Sequence, residues 1–174
     1  MKKLFLTLSI MAIMVSAGAQ EIKWMKMNDA MAAAQETPKK IFIDVYTEWC
    51  GWCKRMDRST FSNPVIAQYI NDNFYPVKLD AETRDTINFK GYQFTYKSGP
   101  NGKGGMNYFA YAILNGKTSF PSYVILNEEQ NLVTVVKGYH EADKFEPILH
   151  FYAEDAYKTT EWDTYRTEFK SKLK

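Results

Sequence analysis

The sequence predicts an α/β protein with a single domain, and three observations support this fold class. A continuous run of β-branched and aromatic side chains at Ile41–Tyr46 is typical of a strand buried on both faces of a sheet. Two further apolar segments, Ser122–Leu126 and Leu132–Lys137, flank a polar turn and indicate a β-hairpin. Segments with one apolar face at helical spacing lie between these strands. The length of 174 residues suits one domain.

Helix caps, proline breaks and apolar periodicity predict the other elements of the first half. Asn28 is expected to cap the first helix, and Asn63-Pro64 matches an N-cap followed by proline at the first helical position. In order, the expected elements are helix Asp29–Glu36, strand Ile41–Tyr46, a helix from Cys50 to about Phe61, a helix ending near Asn73, and strand Phe74–Leu79.

The segment between Asp80 and Ser119 is long for a connection. Tyr92, Phe94 and Tyr96 alternate like an exposed strand or hairpin arm, and the glycines between 98 and 105 indicate a flexible loop. The elements expected after this loop are a helix over Asn107–Asn115 with Gly116 at its C′ position, the hairpin, a helix from Glu141 to about Tyr157, and a last helix. For the last helix we expect a capping box of Thr160 and Asp163 and an aromatic face of Trp162, Tyr165 and Phe169.

Residues 1–19 are expected to be a cleaved signal peptide. Two lysines give a positive start, Leu4–Val15 is a mostly apolar run, and Ala17-Gly18-Ala19 offers the small residues that a signal peptidase recognises. A membrane anchor is the weaker alternative, because a spanning helix needs about 20 apolar residues. The sequence therefore predicts an exported protein with one domain at 20–174 and no stable membrane insertion after cleavage.

The charge balance excludes several function classes. Lys and Arg number 22 and Asp and Glu number 20, which gives a formal net charge of +2. This balance argues against a strongly basic nucleic-acid binder and against a polybasic membrane-surface protein. Cleavage would remove Lys2 and Lys3 and leave 20 residues of each sign, so we expect a formally neutral mature domain and no nucleic-acid partner.

The chain has two cysteines, and they lie three positions apart in the segment Trp49–Lys54, where the buried strand turns into a helix. This spacing at a helix start brings the two sulfurs within disulfide reach. It also leaves Cys50 at the helix N-terminus, where free backbone N–H groups and the helix dipole stabilise a thiolate. The pattern favours thiol–disulfide exchange, in which Cys50 attacks a substrate disulfide and a shielded Cys53 displaces the substrate.

Other interpretations of the cysteine pair remain open. A structural disulfide across so short a loop removes little entropy from the unfolded chain. A metal site would lack a second cysteine pair, since His140 and His150 are distant in sequence. Haem attachment would require histidine where Lys54 stands. A redox-active pair is therefore favoured over a structural disulfide, and a metal site is favoured least.

The segment Ile43–Lys54 resembles the active-site segment of the thioredoxin family, in which a buried acid precedes the first cysteine by six residues, as Asp44 does here. Three further features follow in the order of that family: Val77–Asp80 resembles its next strand, Phe120-Pro121 falls at its cis-proline, and Lys137-Gly138 resembles the glycine before its last helix. The resemblance implies a thioredoxin fold, with a central mixed β-sheet flanked by helices. It also implies an insertion at about 81–119, before the cis-proline, and an extra C-terminal helical extension at about 158–174.

The resemblance also implies roles for individual residues. Cys50 would be the nucleophile and Cys53 the resolving thiol, while Asp44 would relay a proton through a buried water, with Lys78 moderating its pKa. Pro121 would present the backbone of Phe120 to an incoming peptide. The residues expected to contact the substrate are Trp49, Gly51, Trp52, Phe120 and Pro121.

Alternatives to these roles are a surface position for Asp44, a trans turn proline at Pro121 and a core position for Trp49. Two positions depart from the family pattern, because Trp52 stands where proline is usual and Arg58 where a kinking proline is common. The aromatic residues of the insertion could bind a substrate protein, but packing against the main sheet is favoured.

The sequence thus predicts an exported thiol–disulfide oxidoreductase that acts on protein or peptide substrates, in a periplasm or outside the cell. No cofactor beyond the Cys50–Cys53 pair and no metal are expected. Turnover would require an electron donor or acceptor, such as an envelope redox protein. The direction of exchange stays open. The alternative is a binding module or chaperone-like protein of the same fold, whose cysteine pair is not its main function.

Overall fold

A mixed β-sheet with helices on both faces forms the body of the protein. The computed structural model describes residues 20–173, so the predicted signal peptide at 1–19 lies outside the described residues. The elements in chain order are α1 (Met27–Glu36), β1 (Ile41–Tyr46), α2 (Gly51–Met56), α3 (Pro64–Asn73), β2 (Tyr75–Asp80), β3 (Ile87–Phe89), β4 (Tyr92–Phe94), β5 (Tyr96–Ser98), β6 (Gly105–Asn107), α4 (Tyr108–Ile113), β7 (Ser122–Leu126), β8 (Leu132–Lys137), α5 (Ala142–Ala153) and α6 (Trp162–Glu168). A π-helical turn at Asp57–Phe61 continues α2. Within 20–173, no helix combines the length and apolar character needed to cross a bilayer.

The central sheet has the strand order β2-β1-β7-β8. β1 pairs in parallel with β2 and antiparallel with β7, and β8 continues the sheet antiparallel to β7. The sheet is therefore mixed, as the sequence predicts, and the hairpin of β7 and β8 has the predicted bounds. Because β1 and β2 are parallel neighbours, the segments that follow them emerge at the same edge of the sheet. The cysteine pair follows β1, and the insertion follows β2.

β1 is the buried centre of the sheet. Residues 41–45 are each at most 1% exposed, which confirms the prediction from the apolar run. Ile41, Ile43 and Val45 pack in one cluster with residues of α1 and of the insertion, including its helix α4. Phe42 packs in a second cluster with residues of α2, α3 and α5. Successive side chains of a strand point to opposite faces, so Asp44 lies on the face of Phe42, on the side of the helix that carries the cysteines.

The insertion folds as two short antiparallel hairpins followed by a helix. β3 pairs with β4, and β5 pairs with β6. Phe94 packs on Phe109 of α4 with ring centroids 5.6 Å apart, and Phe109 is 1% exposed. These contacts confirm the favoured packing role for Phe94 and Phe109, two of the aromatic residues of the insertion. The tyrosines that stay exposed by at least 41% are Tyr92, Tyr108 and Tyr111.

Two predictions for the insertion are wrong in detail. Tyr92, Phe94 and Tyr96 do not belong to one strand, because the chain passes from one hairpin to the next after Phe94. The flexible loop at 98–105 is shorter than expected, since Ser98 and Gly105 pair with each other at the ends of β5 and β6. Strands of three residues carry too few side chains for periodicity to identify them.

The predicted cap of α1 is also wrong. The helix begins at Met27, after an N-cap residue, Lys26, that makes no side-chain capping bond. The Asn28 amide instead donates to the Thr86 carbonyl at 3.0 Å and accepts from the Asn88 N–H at 2.9 Å, which fastens the insertion to α1. The Asn28 side chain thus binds backbone groups about 60 residues away in sequence instead of capping the helix.

The N-terminal signals of two other helices are confirmed. The Asn63 side chain accepts from the backbone N–H groups of Val65 and Ile66, and proline follows it at the first position of α3. α4 is capped by the Asn107 side chain, as an asparagine before a helix predicts. The helix starts therefore follow local chemistry wherever the capping side chain has no competing partner. The predicted C′ position of Gly116 is wrong by one residue: the C-cap is Leu114, so Asn115 with φ of 53° is the C′ residue, and Gly116 with φ of +70° follows it.

The C-terminal extension differs from its prediction in two respects. α5 ends at Ala153, four residues earlier than expected, because Asp155 adopts a left-handed conformation with φ of 59°. The capping box is absent from α6, since Asp163 pairs with Arg166 at 3.1 Å instead. The predicted aromatic face is present and packs on α5: Trp162 and Tyr165 contact Phe151, and Phe169 contacts His150.

Candidate active site

The two cysteines form a disulfide at the start of α2. The S–S distance is 2.09 Å and the dihedral angle is 82°. Cys50 is the N-cap residue of α2, and its Sγ accepts from the Cys53 N–H at 3.1 Å. The preceding turn is held by the Cys50 N–H, which donates to the Thr47 carbonyl at 3.0 Å. Strand β1 and helix α2 thus hold both sulfurs at the start of the helix, which is the position that the sequence predicts.

Both cysteines are largely covered in the disulfide form. Cys53 is 3% exposed, which confirms that it is shielded, and Cys50 is 5% exposed. Gly51 between them is exposed, and a Cβ at this position would meet no atom of the described residues within 4 Å. The surrounding residues therefore leave room for a side chain at position 51. A reacting partner must approach the small exposed edge of Cys50 from the surface around it.

Four aromatic side chains, Trp49, Phe120, Trp52 and Tyr139, form an aromatic rim next to the disulfide. Trp49 is 67% exposed, which excludes the alternative that it belongs to the core. Its ring packs edge-to-face on Phe120 at 5.9 Å, and its indole N–H donates to the Glu82 carboxylate at 3.0 Å. This half of the rim thus rests on the cis-proline loop and on the first residues of the insertion.

The other half of the rim rests on α2 and the segment after β8. Trp52 is 56% exposed and lies 5.5 Å from the Tyr139 ring. The Arg55 guanidinium lies over both rings, at 5.5 Å from Trp52 and 4.9 Å from Tyr139, and it pairs with Glu141 at 3.5 Å. Cation–π contacts of this kind orient exposed rings without burying them.

Three charged side chains, Asp44, Lys78 and Asp57, form a charge cluster between the sheet and the cysteine helix. The Lys78 ammonium donates to Asp44 Oδ2 at 2.6 Å and also to Asp57 Oδ1. Asp44 is 1% exposed, which excludes the alternative of a surface position for it. Asp57 lies on the π-helical turn, four residues after Cys53, so the cluster joins β1, β2 and the helix that carries the cysteines.

The charge cluster shifts the protonation of its members. Burial raises the pKa of the Asp44 carboxyl from 3.8 to about 6, Lys78 opposes this rise through its charge and hydrogen bond, and the nearby Asp57 charge adds to it. The two carboxylates raise the pKa of Lys78 against the effect of its own burial. Asp44 Oδ1 is buried and has no hydrogen-bond partner within the described chain. This oxygen is therefore available to accept a proton.

The cis-proline loop completes the site. The Phe120–Pro121 peptide bond is cis, which confirms the prediction and excludes the trans alternative. The Pro121 carbonyl accepts from the Gly138 N–H at 2.9 Å, so this loop is joined to the end of β8. Among residues 20–173, no hydrogen bond between backbone groups uses the N–H or C=O of Phe120. The sequence prediction that Phe120 offers its backbone to a peptide is compatible with this arrangement.

Several residues of the site were not predicted from the sequence, among them Asp57, Glu82 and Tyr139. Asp57 has a local signal, because a residue four positions after Cys53 lies one turn further along the same helix. Glu82 and Tyr139 have no comparable signal, since their contacts with Trp49 and Trp52 join segments far apart in the chain. Within the described residues, no group of three or more His, Cys, Asp or Glu side chains is arranged to hold a metal ion.

The strand order, the cis-proline and the disulfide at a helix start define a protein of the thioredoxin-fold class. A family model, Thioredox_DsbH, described as a protein of unknown function (DUF255), matches residues 9–151. The chain therefore belongs to this family.

Solved structures agree with the fold. The DsbH oxidoreductase superimposes with a TM-score of 0.54 at 14% identity, covering 86% of this chain and 95% of that chain. A thioredoxin from Thermus thermophilus superimposes with a TM-score of 0.55 at 16% identity, covering 75% of this chain and 85% of that chain. At these identities the comparisons show the fold alone, and they confirm the predicted thioredoxin fold.

Curated relatives match a part of the chain. An uncharacterized protein of Caenorhabditis elegans is 32% identical over 96 residues, which are 53% of this chain and 13% of that protein. The thiol:disulfide interchange protein DsbD of Citrobacter koseri is 39% identical over 46 residues, which are 26% of this chain and 8% of that protein. The match to each of these two relatives thus spans no more than 13% of the relative's own length.

Proposed function

We propose that the protein is an exported thiol–disulfide oxidoreductase that exchanges its Cys50–Cys53 pair with disulfides or dithiols of protein or peptide substrates. The observation that carries this proposal is a disulfide at a helix N-terminus, next in sequence to the exposed Trp49 and Trp52, on a helix whose next turn shares the Lys78 ammonium with a buried carboxyl of raised pKa. A structural disulfide needs neither feature. The proposed cofactor is the cysteine pair alone.

In the reducing direction, the Cys50 thiolate attacks one sulfur of the substrate disulfide. The substrate S–S bond breaks, a mixed disulfide forms at Cys50, and the first substrate sulfur leaves as a thiolate. The Cys53 thiol then gives its proton to Asp44 through a water molecule, and its sulfur attacks Cys50 Sγ. This step forms the Cys50–Cys53 disulfide and releases the second substrate thiolate, so two electrons pass from the protein to the substrate. The oxidising direction is the reverse sequence.

The surroundings of the cysteines support both halves of this sequence. Free N–H groups and the dipole at the start of α2 stabilise a thiolate on Cys50. A carboxyl with a pKa of about 6 can exchange a proton with a thiol near neutral pH. The similarity to a thiol:disulfide interchange protein also supports the reaction class.

The proposed location is the periplasm or the cell exterior. It is supported by the positive, apolar and small-residue pattern of the first 19 residues. Turnover there requires a second redox protein as electron donor or acceptor. Sequencing the N-terminus of protein recovered from the envelope tests this part. Cleavage near Gln20 is expected, and exported protein that retains Met1 would contradict it.

Equilibration with glutathione buffers tests the activity itself. We expect wild-type protein to titrate reversibly with two electrons at a potential between about −120 and −270 mV, the range of known exchange proteins. Cys50→Ser should abolish the transition. A protein that shows no transition in this range would overturn the proposal.

A trapping experiment separates exchange from simple binding. Cys53→Ala removes the resolving thiol, so mixed disulfides should accumulate at Cys50 in envelope extracts and disappear on reduction. The matched control is Cys53→Ala combined with Cys50→Ser, which retains the surface and lacks the nucleophile. Partners captured equally by both variants would instead favour the binding module or chaperone-like protein.

A further inference from the structure

A groove borders the aromatic rim on the side of Trp49, and the insertion supplies one of its walls. It has a volume of about 380 Å³, enough for one or two side chains of an extended peptide. Trp49 and Phe120 line the wall next to the disulfide. Gly105 and Met106 of the β5–β6 hairpin line another wall, and Ala81 with Glu82 joins the two.

The insertion wall is held in a fixed position. The Asn107 side chain is fully buried and donates to the Asp85 carbonyl at 2.9 Å, while the Asn107 backbone N–H donates to the Ala81 carbonyl at 2.7 Å. Gly105 has φ of +137°, and a Cβ there would come within 2.4 Å of the Lys97 carbonyl oxygen. The close pairing of β5 and β6 therefore requires glycine, and the next residue, Met106, lines the groove together with Glu82.

The groove combines apolar walls with one negative charge. Trp49, Phe120 and Met106 offer apolar surface, and a methionine side chain adapts to different partners. Glu82 is the one charged residue among the described residues that line the groove. Its Oε1 accepts the Trp49 indole N–H at 3.0 Å. Asp80 is near enough for the Glu82 charge to raise its pKa, after burial as the main cause, so a second carboxylate adds to the field.

The floor of the groove carries an unsatisfied polar group. Thr47 lines the groove, is 1% exposed, and its hydroxyl has no hydrogen-bond partner within 20–173. Buried hydroxyls without partners are uncommon, because their desolvation is not compensated. This hydroxyl is covered by the chain, so the surface that the groove offers to a ligand is that of its apolar walls and of Glu82.

We infer that this groove selects substrates: it takes the segment flanking the reactive cysteine of an extended peptide, with an apolar side chain against Trp49 and Met106 and a preference for basic over acidic neighbours. The inference rests on the proposed function, since it names the substrates of the same disulfide. The insertion is then the specificity element of the protein. Glu82 acts as a selecting residue, and it takes no part in the sulfur chemistry.

Peptide disulfides test the inference. The probes are homodisulfides of short blocked peptides with leucine, glycine, lysine or glutamate on both flanks of one cysteine, together with oxidised glutathione. The second-order rate constant with the reduced protein is followed by tryptophan fluorescence at low salt. We expect lysine peptides to react about fivefold faster than glutamate peptides, the size of a partly exposed charge interaction. Leucine peptides should react faster than glycine peptides.

Two variants assign these preferences to the groove. Glu82→Gln retains an acceptor for the Trp49 indole and removes the charge, so the ratio of lysine to glutamate rates should fall to below about twofold. Met106→Ala shortens the wall and should reduce the ratio of leucine to glycine rates by roughly threefold, the effect of losing apolar contact. The matched controls are Glu129→Gln and Leu132→Ala, which are exposed residues near the β7–β8 turn at the opposite end of the sheet and should leave both ratios unchanged.

The outcomes separate the inference from the proposed function. Exchange with glutathione together with peptide rates that do not depend on the flanking residue would overturn the inference and leave the oxidoreductase intact. Ratios that persist in Glu82→Gln would also overturn the role of the groove charge. Absence of exchange with every disulfide, glutathione included, would overturn the proposed function itself.

Discussion

The charge cluster and the aromatic rim border the same cysteine helix, but they differ in solvent exposure and in what holds them. Asp44 is 1% exposed and is held by an ion pair, whereas Trp49 is 67% exposed and is held by one hydrogen bond and one ring contact. Asp44 has a shifted pKa because water cannot solvate its charge. The rim offers wide apolar surface because little of the chain covers it.

This difference assigns separate tasks to the two regions under the proposed function. The charge cluster controls where protons reside, so substitutions there should change the dependence on pH. The aromatic rim contacts the substrate, so substitutions there should change the rates with peptides relative to those with a small disulfide. If substitutions in both regions changed the pH dependence and the peptide rates alike, the two regions would act as one unit.

The largest effect is expected for Asp44→Asn. The folded protein holds the Asp44 proton with a pKa of about 6, whereas the unfolded chain holds it at 3.8, so ionisation of Asp44 destabilises the folded state as the pH rises from about 4 to 7. The variant lacks this ionisation. Its free energy of unfolding should exceed that of the wild type by about 2–3 kcal/mol at pH 7.5, and the difference should fall to about 0.5 kcal/mol at pH 4.

Urea unfolding of the oxidised proteins at pH 4, 5.5 and 7.5 measures this difference. Asp72→Asn is the matched control, because Asp72 lies exposed on α3 and its replacement should change stability little at any of these pH values. A variant that is less stable than the wild type at pH 7.5 would show that the Asp44–Lys78 ion pair outweighs the cost of burying the charge.

The next effect is expected in the aromatic rim. Trp49→Ala should lower the rate constant with leucine peptide disulfides about tenfold, because large aromatic anchors held in place contribute most to contacts between molecules. Trp52→Ala should lower it by about threefold, since Trp52 has ring contacts but, within residues 20–173, no hydrogen bond that holds its indole. Stopped-flow fluorescence with peptide disulfides and with glutathione measures both variants. An equal loss for peptides and for glutathione would contradict a substrate-contact role.

Much of the charge cluster could be predicted from the sequence, because its signals are local or follow the order of a known fold. Asp44 interrupts a run of apolar residues in β1, and Lys78 occupies the register position beside it in β2. The helix start at Cys50 and the cap at Asn63 are also local. Asp57 had a usable signal in its spacing from Cys53.

The Trp49 side of the rim could be predicted only in part. The tryptophans stand next to the cysteines in the sequence, but the partner of Trp49 is Glu82, 33 residues away and at the start of the insertion. The insertion itself consists of three-residue strands whose position depends on long-range bonds such as those of Asn28 and Asn107. Periodicity and capping rules describe neighbours along the chain, and they do not contain this information.

The smallest effect is expected for Asp57→Asn, and it tests whether the two carboxylates of the charge cluster compete for one ammonium. Asp57 shares Lys78 with Asp44, and its negative charge also raises the pKa of Asp44. Removing that charge leaves Asp44 as the carboxylate that Lys78 neutralises. The pKa of Asp44 should therefore fall below its wild-type value of about 6 by a fraction of a unit, because the Asp57 side chain is 41% exposed and its charge is screened.

A carboxyl ¹³C NMR titration of the oxidised protein measures the pKa of Asp44 directly. Trp49→Ala serves as the comparison from the aromatic rim, and its Asp44 titration should coincide with that of the wild type. An Asp44 pKa that rises in Asp57→Asn would mean that Asp57 holds Lys78 in place for Asp44 instead of competing for it. In that case Lys78 would need both carboxylates to stay in position, and the acidity of Asp44 would depend on the geometry of the π-helical turn after Cys53 as well as on charge.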